Sequence, residues 1–145
     1  MRSLAYPATL IPDRKDGGFT VTFPDLPEAV TQGEDRLDAL EQAADCVEEA
    51  IAGRIRRGDP IPIPSKAKPA GAVVPVPPLM AAKAALYVTM REAKISNVKL
   101  AKRLGCNEKD VRRLLDPRHN SRITALQTAL AALGKKIVVA VENAA

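Results

Sequence analysis

Two groups of side chains in this sequence have types and spacings that suit chemistry. The first is a series of carboxylates, Asp13, Asp16, Asp25, Glu28 and Asp38. Carboxylates that converge from the ends of paired strands hold the metal ions of a two-metal nuclease. Here Asp13 and Asp16 fall in a turn, Asp25 in a proline-bounded loop and Asp38 in a helix's first turn, so each has an ordinary structural use. No enzyme is expected. The second group is Asn107, Glu108, Lys109, Arg112 and Arg113. Arginine and lysine pair with guanine edges or phosphates, and a glutamate near a helix start accepts from a cytosine amino group. Asn97, Lys99 and Arg118 complete the candidate DNA-binding set. Cys46 and Cys106 lie far apart without CxxC spacing and His119 is the single histidine. A disulfide, a metal centre or a cofactor is therefore unexpected.

The elements that must position the basic group lie in residues 100–116, LAKRLGCNEKDVRRLLD. A first helix over Asn97–Leu104 buries Leu100, Ala101 and Leu104, and the small Ala101 allows two helices to cross closely. Gly105 takes positive φ and redirects the chain, and Asn107 caps a second helix. In that helix Val111, Leu114 and Leu115 point inward, which places the charged residues on or beside the outer face. This is the two-helix unit that sets a helix into the DNA major groove. Residues 79–93 supply a preceding helix with Leu79, Ala82, Leu86 and Met90 inside. Ile123, Leu126, Ala129, Leu130 and Leu133 mark a following helix that Gly134 ends.

The net charge of +5 divides unevenly along the 145 residues. Residues 1–64 carry 7 basic and 12 acidic side chains, net −5, and residues 65–145 carry 15 and 5, net +10. A basic half suits a phosphate backbone and an acidic half suits a basic protein. No run of eighteen apolar residues and no charged-then-apolar leader is present, so a membrane partner is not expected and the cytoplasm is the expected compartment.

In the first half, residues 4–11 and the alternating Phe19 to Phe23 read as a β-hairpin around the turn PDRKDGG, with a third extended piece near residues 29–31. Asp35 caps a helix from Arg36 to about Arg57, with Leu40, Ala44, Val47, Ile51 and Ile55 as its apolar stripe and Gly58 as its end. Seven of the twelve prolines fall between Pro60 and Pro78, which excludes helix there. Residues 72–77 read as a strand that returns to the first sheet. The expected domains are 1–64 plus that strand, a proline-rich linker over 65–78, and 79–145. Residues 137–141, IVVAV, read as a short C-terminal strand that pairs with its copy in a second subunit or packs on its own domain.

Two features together resemble the HicB family, the antitoxin components of bacterial HicA and HicB toxin-antitoxin pairs. They are the run over residues 4–51 and the downstream run over residues 100–139, most specifically GGFTVTFPDLPEAVTQG at residues 17–33, before the capped helix, and RRLLDPRHNS at residues 112–121, after the candidate recognition helix. The resemblance implies an α+β fold: a small β-β-β-α-β domain like a truncated RNase H fold, then an all-α helix-turn-helix domain of Cro/repressor type. It implies an antitoxin that neutralises a small basic HicA-type mRNA-cleaving toxin, represses its own operon by binding operator DNA, and forms a homodimer or higher even oligomer. Phe23, Asp25, Leu26 and Pro27 are the expected toxin contacts, with acidic residues of the long helix. The alternative reading is a stand-alone helix-turn-helix regulator whose first domain senses a ligand.

Overall fold

The hairpin at the start of the chain forms where threonine, β-branched and aromatic residues flank a dense cluster of turn formers. In the computed structural model, which describes residues 3–144, β1 (Ala5–Pro12) and β2 (Phe19–Thr22) pair antiparallel, with Thr9 opposite Thr22 and Pro12 opposite Phe19. Asp13 sets the turn, its carboxylate accepting from the backbone amides of Lys15 and Asp16 at 3.0 and 3.1 Å. β3 (Val30–Gly33) continues the sheet beside β2. β4 (Ala72–Pro75) returns antiparallel to the first half of β1, giving the order β3-β2-β1-β4. At Pro7, β1 has a strand neighbour on one side only, which leaves room for a residue with no N–H to donate.

Helix α1 (Arg36–Arg57) covers one face of this sheet. Asp35 accepts from the Asp38 amide at 2.8 Å, and the Asp38 carboxylate reaches back to the Glu34 amide at 2.8 Å. Arg54, Arg56 and Arg57 face the negative end of the helix dipole. The buried line runs through Ala39, Ala43, Val47, Ala50, Ile51 and Ile55, while Leu40 and Ala44 are half-buried. It therefore starts on alanine rather than on the leucine that periodicity selects. The reason is close approach: a Cβ on Gly33 would stand 2.3 Å from Ala39 N and 2.5 Å from Ala39 Cα. Only small residues fit where β3 runs under the helix.

The proline-rich return from α1 has no regular structure yet is held at three points. The buried Tyr6 hydroxyl donates to Pro62 O at 2.7 Å, and burial pushes its phenol up to about 12. Arg54 donates to Pro60 O at 2.9 Å, and Asp25 accepts from both the amide and the hydroxyl of Ser65.

The chain divides into two compact units, Met1–Ala81 and Ala82–Ala145. Beyond β4 it is helical: α2 (Pro78–Ala93), α3 (Asn97–Leu104), α4 (Glu108–Leu115) and α5 (Ile123–Ala131). The second unit's core is Leu86, Met90, Leu100, Ala101, Val111, Leu126, Ala129 and Leu130, all at most 4% exposed. The fold is thus α+β, a four-stranded antiparallel sheet with its covering helix followed by four further helices. Among the described residues no helix is long and apolar enough to cross a membrane.

One expected element is corrected. Residues 137–141 form no strand in the single chain, because α2 to α5 offer no sheet edge and an unpaired strand has nothing to hold its backbone.

Gly33→Ala is expected to lower the first unit's stability by roughly 1 to 3 kcal/mol, because backbone of α1 stands where the new methyl group must go. Urea unfolding followed by circular dichroism reads this as a lower midpoint with an unchanged slope.

Candidate nucleic-acid interface

The two-helix unit is set by its caps. Ser96 accepts from the Lys99 amide at 3.2 Å and starts α3. At the other end Gly105 adopts φ 69°, Cys106 N donates to Ala101 O at 3.0 Å and Gly105 N donates to Lys102 O at 3.3 Å. This paired closure satisfies the last carbonyls of α3 and turns the chain within two residues. Asn107 then accepts from the Asp110 amide at 3.0 Å, while Asp110 accepts from the Asn107 amide at 3.2 Å, a reciprocal capping box. Ala101, 3% exposed, lies in the buried core between α3 and its neighbours.

With Val111 fully buried, 100° per residue places Lys109 and Arg113 within about 20° of the opposite, outward side of α4. Both side chains are exposed, as is that of Arg112. Arg112 pairs with Glu108 at 3.1 Å, and Arg113 stands 4.0 Å from Asp110. Exposed pairs of this kind hold an arginine weakly and release it to a stronger anion. Leu114 and Leu115 are half-buried at the flanks.

The other residues singled out from the sequence divide by what already occupies them. Asn107 is committed to the cap through its side-chain oxygen. Asn97 donates to the second Glu108 carboxylate oxygen at 3.4 Å, tying the start of α3 to the start of α4. Lys99 and Arg118 are exposed, and the Arg118 amide donates to the Asp116 carboxylate at 2.9 Å. Lys102 and Arg103, in the last turn of α3, are also exposed cations that sequence reasoning did not single out. They lie where basic residues favour any helix C-terminus, so type and position gave no separate signal.

The residue sequence reasoning missed is Lys83. It lies on α2 between apolar neighbours and is fully buried. Its Nζ donates to Ser121 Oγ at 2.8 Å, Leu114 O at 3.0 Å and Arg113 O at 3.2 Å. Ser121 Oγ also lies 2.9 Å from His119 Nδ1. Burial pushes the Lys83 ammonium below the ordinary lysine range, and Asp116 pulls it partly back. Three donors meeting three acceptors make a buried ammonium tolerable. The lysine thereby ends the candidate recognition helix and holds the loop after it.

In the first unit four of the candidate carboxylates are structural. Asp13 and Asp25 hold loops, Asp38 completes a cap, and Glu28 makes a two-pronged pair with Arg54 at 2.6 and 2.9 Å, which holds its carboxyl below the usual range. Of the expected toxin contacts, Phe23 is 1% exposed and Leu26 0%, both packed in the core. Asp25 is half-buried against Ser65, and Pro27 is exposed. The exposed side of α1 carries Glu41, Asp45 and Glu49.

Comparison with known proteins bears on both halves. A family model described as the HicB-like antitoxin of a bacterial toxin-antitoxin system matches residues 5–85. Antitoxin HicB 1 of Photorhabdus laumondii is 34% identical over 143 residues, which is 98% of this chain and 90% of that protein. Antitoxin HicB of Escherichia coli K12 is 35% identical over 134 residues, 92% and 96% of the two chains. Antitoxin HicB of Pseudomonas fluorescens is 33% identical over 129 residues, 88% of each.

Lys83→Met is expected to destabilise the second unit by about 1 to 3 kcal/mol, the cost of leaving the Leu114 carbonyl without its donor. Hydrogen exchange resolved by residue reads this as faster exchange from α4 onward through Ser121.

Proposed function

Because the chain belongs to the HicB-like antitoxin family of bacterial toxin-antitoxin systems, a family of regulatory proteins rather than enzymes, we propose that its two units serve two partners. The first unit binds and neutralises a small basic HicA-type toxin that cleaves mRNA. The second binds operator DNA as a homodimer or higher even oligomer and represses the operon. On this reading the protein works in the cytoplasm, the first unit is akin to a truncated RNase H fold, and the second is akin to a Cro/repressor helix-turn-helix domain.

The observation that carries the DNA half is the doubly capped α3–α4 pair with Lys109 and Arg113 on the outer side of its second helix. A helix held this way at its start presents its side chains in fixed register, which base reading requires. Lys109 and Arg113 are the base or phosphate readers, Arg112 is recruited from its Glu108 pair, and Lys99 and Arg118 hold flanking phosphates. Asn97, Asn107 and Glu108 serve mainly to position α4.

The toxin half is supported by charge. The exposed acids of α1 fit a cationic partner and disfavour RNA, which competes for the same toxin. Asp25 and Pro27 lie at the edge of the proposed contact.

Two outcomes are expected. Arg113→Ala or Lys109→Ala should weaken operator binding by roughly 1 to 3 kcal/mol per half-site and leave toxin capture intact, read by gel shift at two salt concentrations. A charge-reversed pair, Glu41→Lys with Asp45→Lys, should abolish co-purification of a small basic protein expressed from the same operon while the operator shift persists. Operator binding with no such partner would instead favour a stand-alone regulator.

A further inference from the structure

The end of α4 can be accounted for donor by donor. A continued helix would bond Arg113 O to the amide of residue 117 and Leu114 O to the amide of residue 118. Residue 117 is a proline without an amide hydrogen, and the Arg118 amide already donates to the Asp116 carboxylate at 2.9 Å. The Asp116 amide turns back onto Arg113 O at 3.2 Å, and Leu114 O has no backbone donor among the described residues. Lys83 Nζ donates to Leu114 O at 3.0 Å and to Arg113 O at 3.2 Å. Ser121 Oγ, 2.8 Å from that ammonium, adds a longer bond to Arg113 O at 3.3 Å.

The start of α4 is closed within its own sequence, by the reciprocal bonds of Asn107 and Asp110. With eight residues the helix has about two turns, so the cap holds the first and Lys83 holds the last. The two outward cations fall one to each turn, Lys109 on the first and Arg113 on the last. Little else orients Arg113, whose ion pair with Asp110 is long, at 4.0 Å.

We propose that Lys83 and Ser121 are positioning residues for operator recognition, acting through Arg113 and not through Lys109. The inference deepens the DNA-binding reading above and rests on it. Neither residue is placed to touch DNA, since Lys83 is fully buried and Ser121 is 7% exposed. What they fix is the direction in which the last turn carries the Arg113 side chain. If that turn frays, the arginine keeps its charge and loses its register, so it still meets a phosphate but no longer a base edge. Lys109, on the turn closed by Asn107 and Asp110, keeps both. The loss is therefore one of specificity, and the sequence-independent attraction to phosphates is preserved.

The test is a pair of double-mutant cycles on the full chain, read by fluorescence anisotropy. The probes are a labelled duplex from the DNA upstream of the chain's own operon and an unrelated duplex of equal length, at a temperature where circular dichroism shows each variant folded. Lys83→Met should weaken binding to the operon duplex by about tenfold per half-site. Binding to the unrelated duplex should stay within about twofold, with the same salt dependence. Combined with Arg113→Ala, Lys83→Met should add no more than about twofold, because the arginine it positions is gone; combined with Lys109→Ala, the two losses should multiply. Ser121→Ala should show the same pattern at about threefold, and Ser121→Thr, which keeps the hydroxyl, should bind as the wild type does. That serine pair carries the test if Lys83→Met fails to fold. A purely structural role would lower the unfolding midpoint and leave the affinity of the folded chain unchanged, which overturns the proposal. So does a loss that multiplies with Arg113→Ala, or one shared equally by the unrelated duplex. A wild-type chain with no preference for the operon duplex overturns the DNA-binding reading and this proposal with it, and is told apart because it appears before any substitution is made.

Discussion

The constraint on which this molecule turns is that each backbone N–H and C=O taken from water must find a partner. Short helices make it severe, because α3 and α4 have eight residues each and much of their backbone is terminal. Side chains of Asp35, Ser96 and Asn107 meet it at helix starts. Glycines 58, 105 and 134 meet it at helix ends, where φ near 70° lets the following amides fold back. The end of α4 has no glycine. Asp116 and Pro117 follow it, and proline brings no amide to fold back. The Asp116 amide still reaches Arg113 O at 3.2 Å, and a lysine from another helix supplies the donor to Leu114 O and a further one to Arg113 O.

That substitution has a mechanical consequence. A glycine cap is local and leaves a helix free to move with its own loop. The Lys83 closure is tertiary: it ties α2, the end of α4 and Ser121 to one ammonium. The helix bearing Lys109 and Arg113 is then fixed at both ends, at its start by the reciprocal Asn107–Asp110 cap and at its finish by Lys83. Recognition by a helix depends on such fixity, since an arginine's reach to a base edge tolerates little error in the backbone beneath it.

The first unit meets a different demand, that of covering a four-stranded sheet with one helix. Alanines at 39 and 43 and the bare backbone of Gly33 let α1 lie close over β3, and Val47, Ile51 and Ile55 fill the deeper part of the layer. The proline-rich return cannot make its own ladder, so Tyr6, Arg54 and Asp25 anchor it from the folded body. The inner face of α1 serves packing, which leaves its acidic outer face available for a partner.

Local signals decided much of this from the sequence alone. Asp35 and Gly58 delimit α1, Gly105 and Asn107 delimit the turn between α3 and α4, and residues 72–75 return to the sheet, because caps and turns are written in one or two residues with particular stereochemistry. The family, too, was legible in the loop before α1 and the step after α4. What stayed hidden depended on residues far apart in the chain. Periodicity selected Leu40 and Ala44, and only the approach of Gly33 to Ala39 turned the helix onto its alanines. Phe23 ends an alternating strand, whereas Asp25, Leu26 and Pro27 looked alike as a loop, and only packing separated the buried leucine from the exposed proline. Nothing local marks Lys83, since a lysine among apolar neighbours ordinarily extends to water. Its role appears only when folding brings two carbonyls and a hydroxyl around its ammonium, an arrangement that no single segment contains.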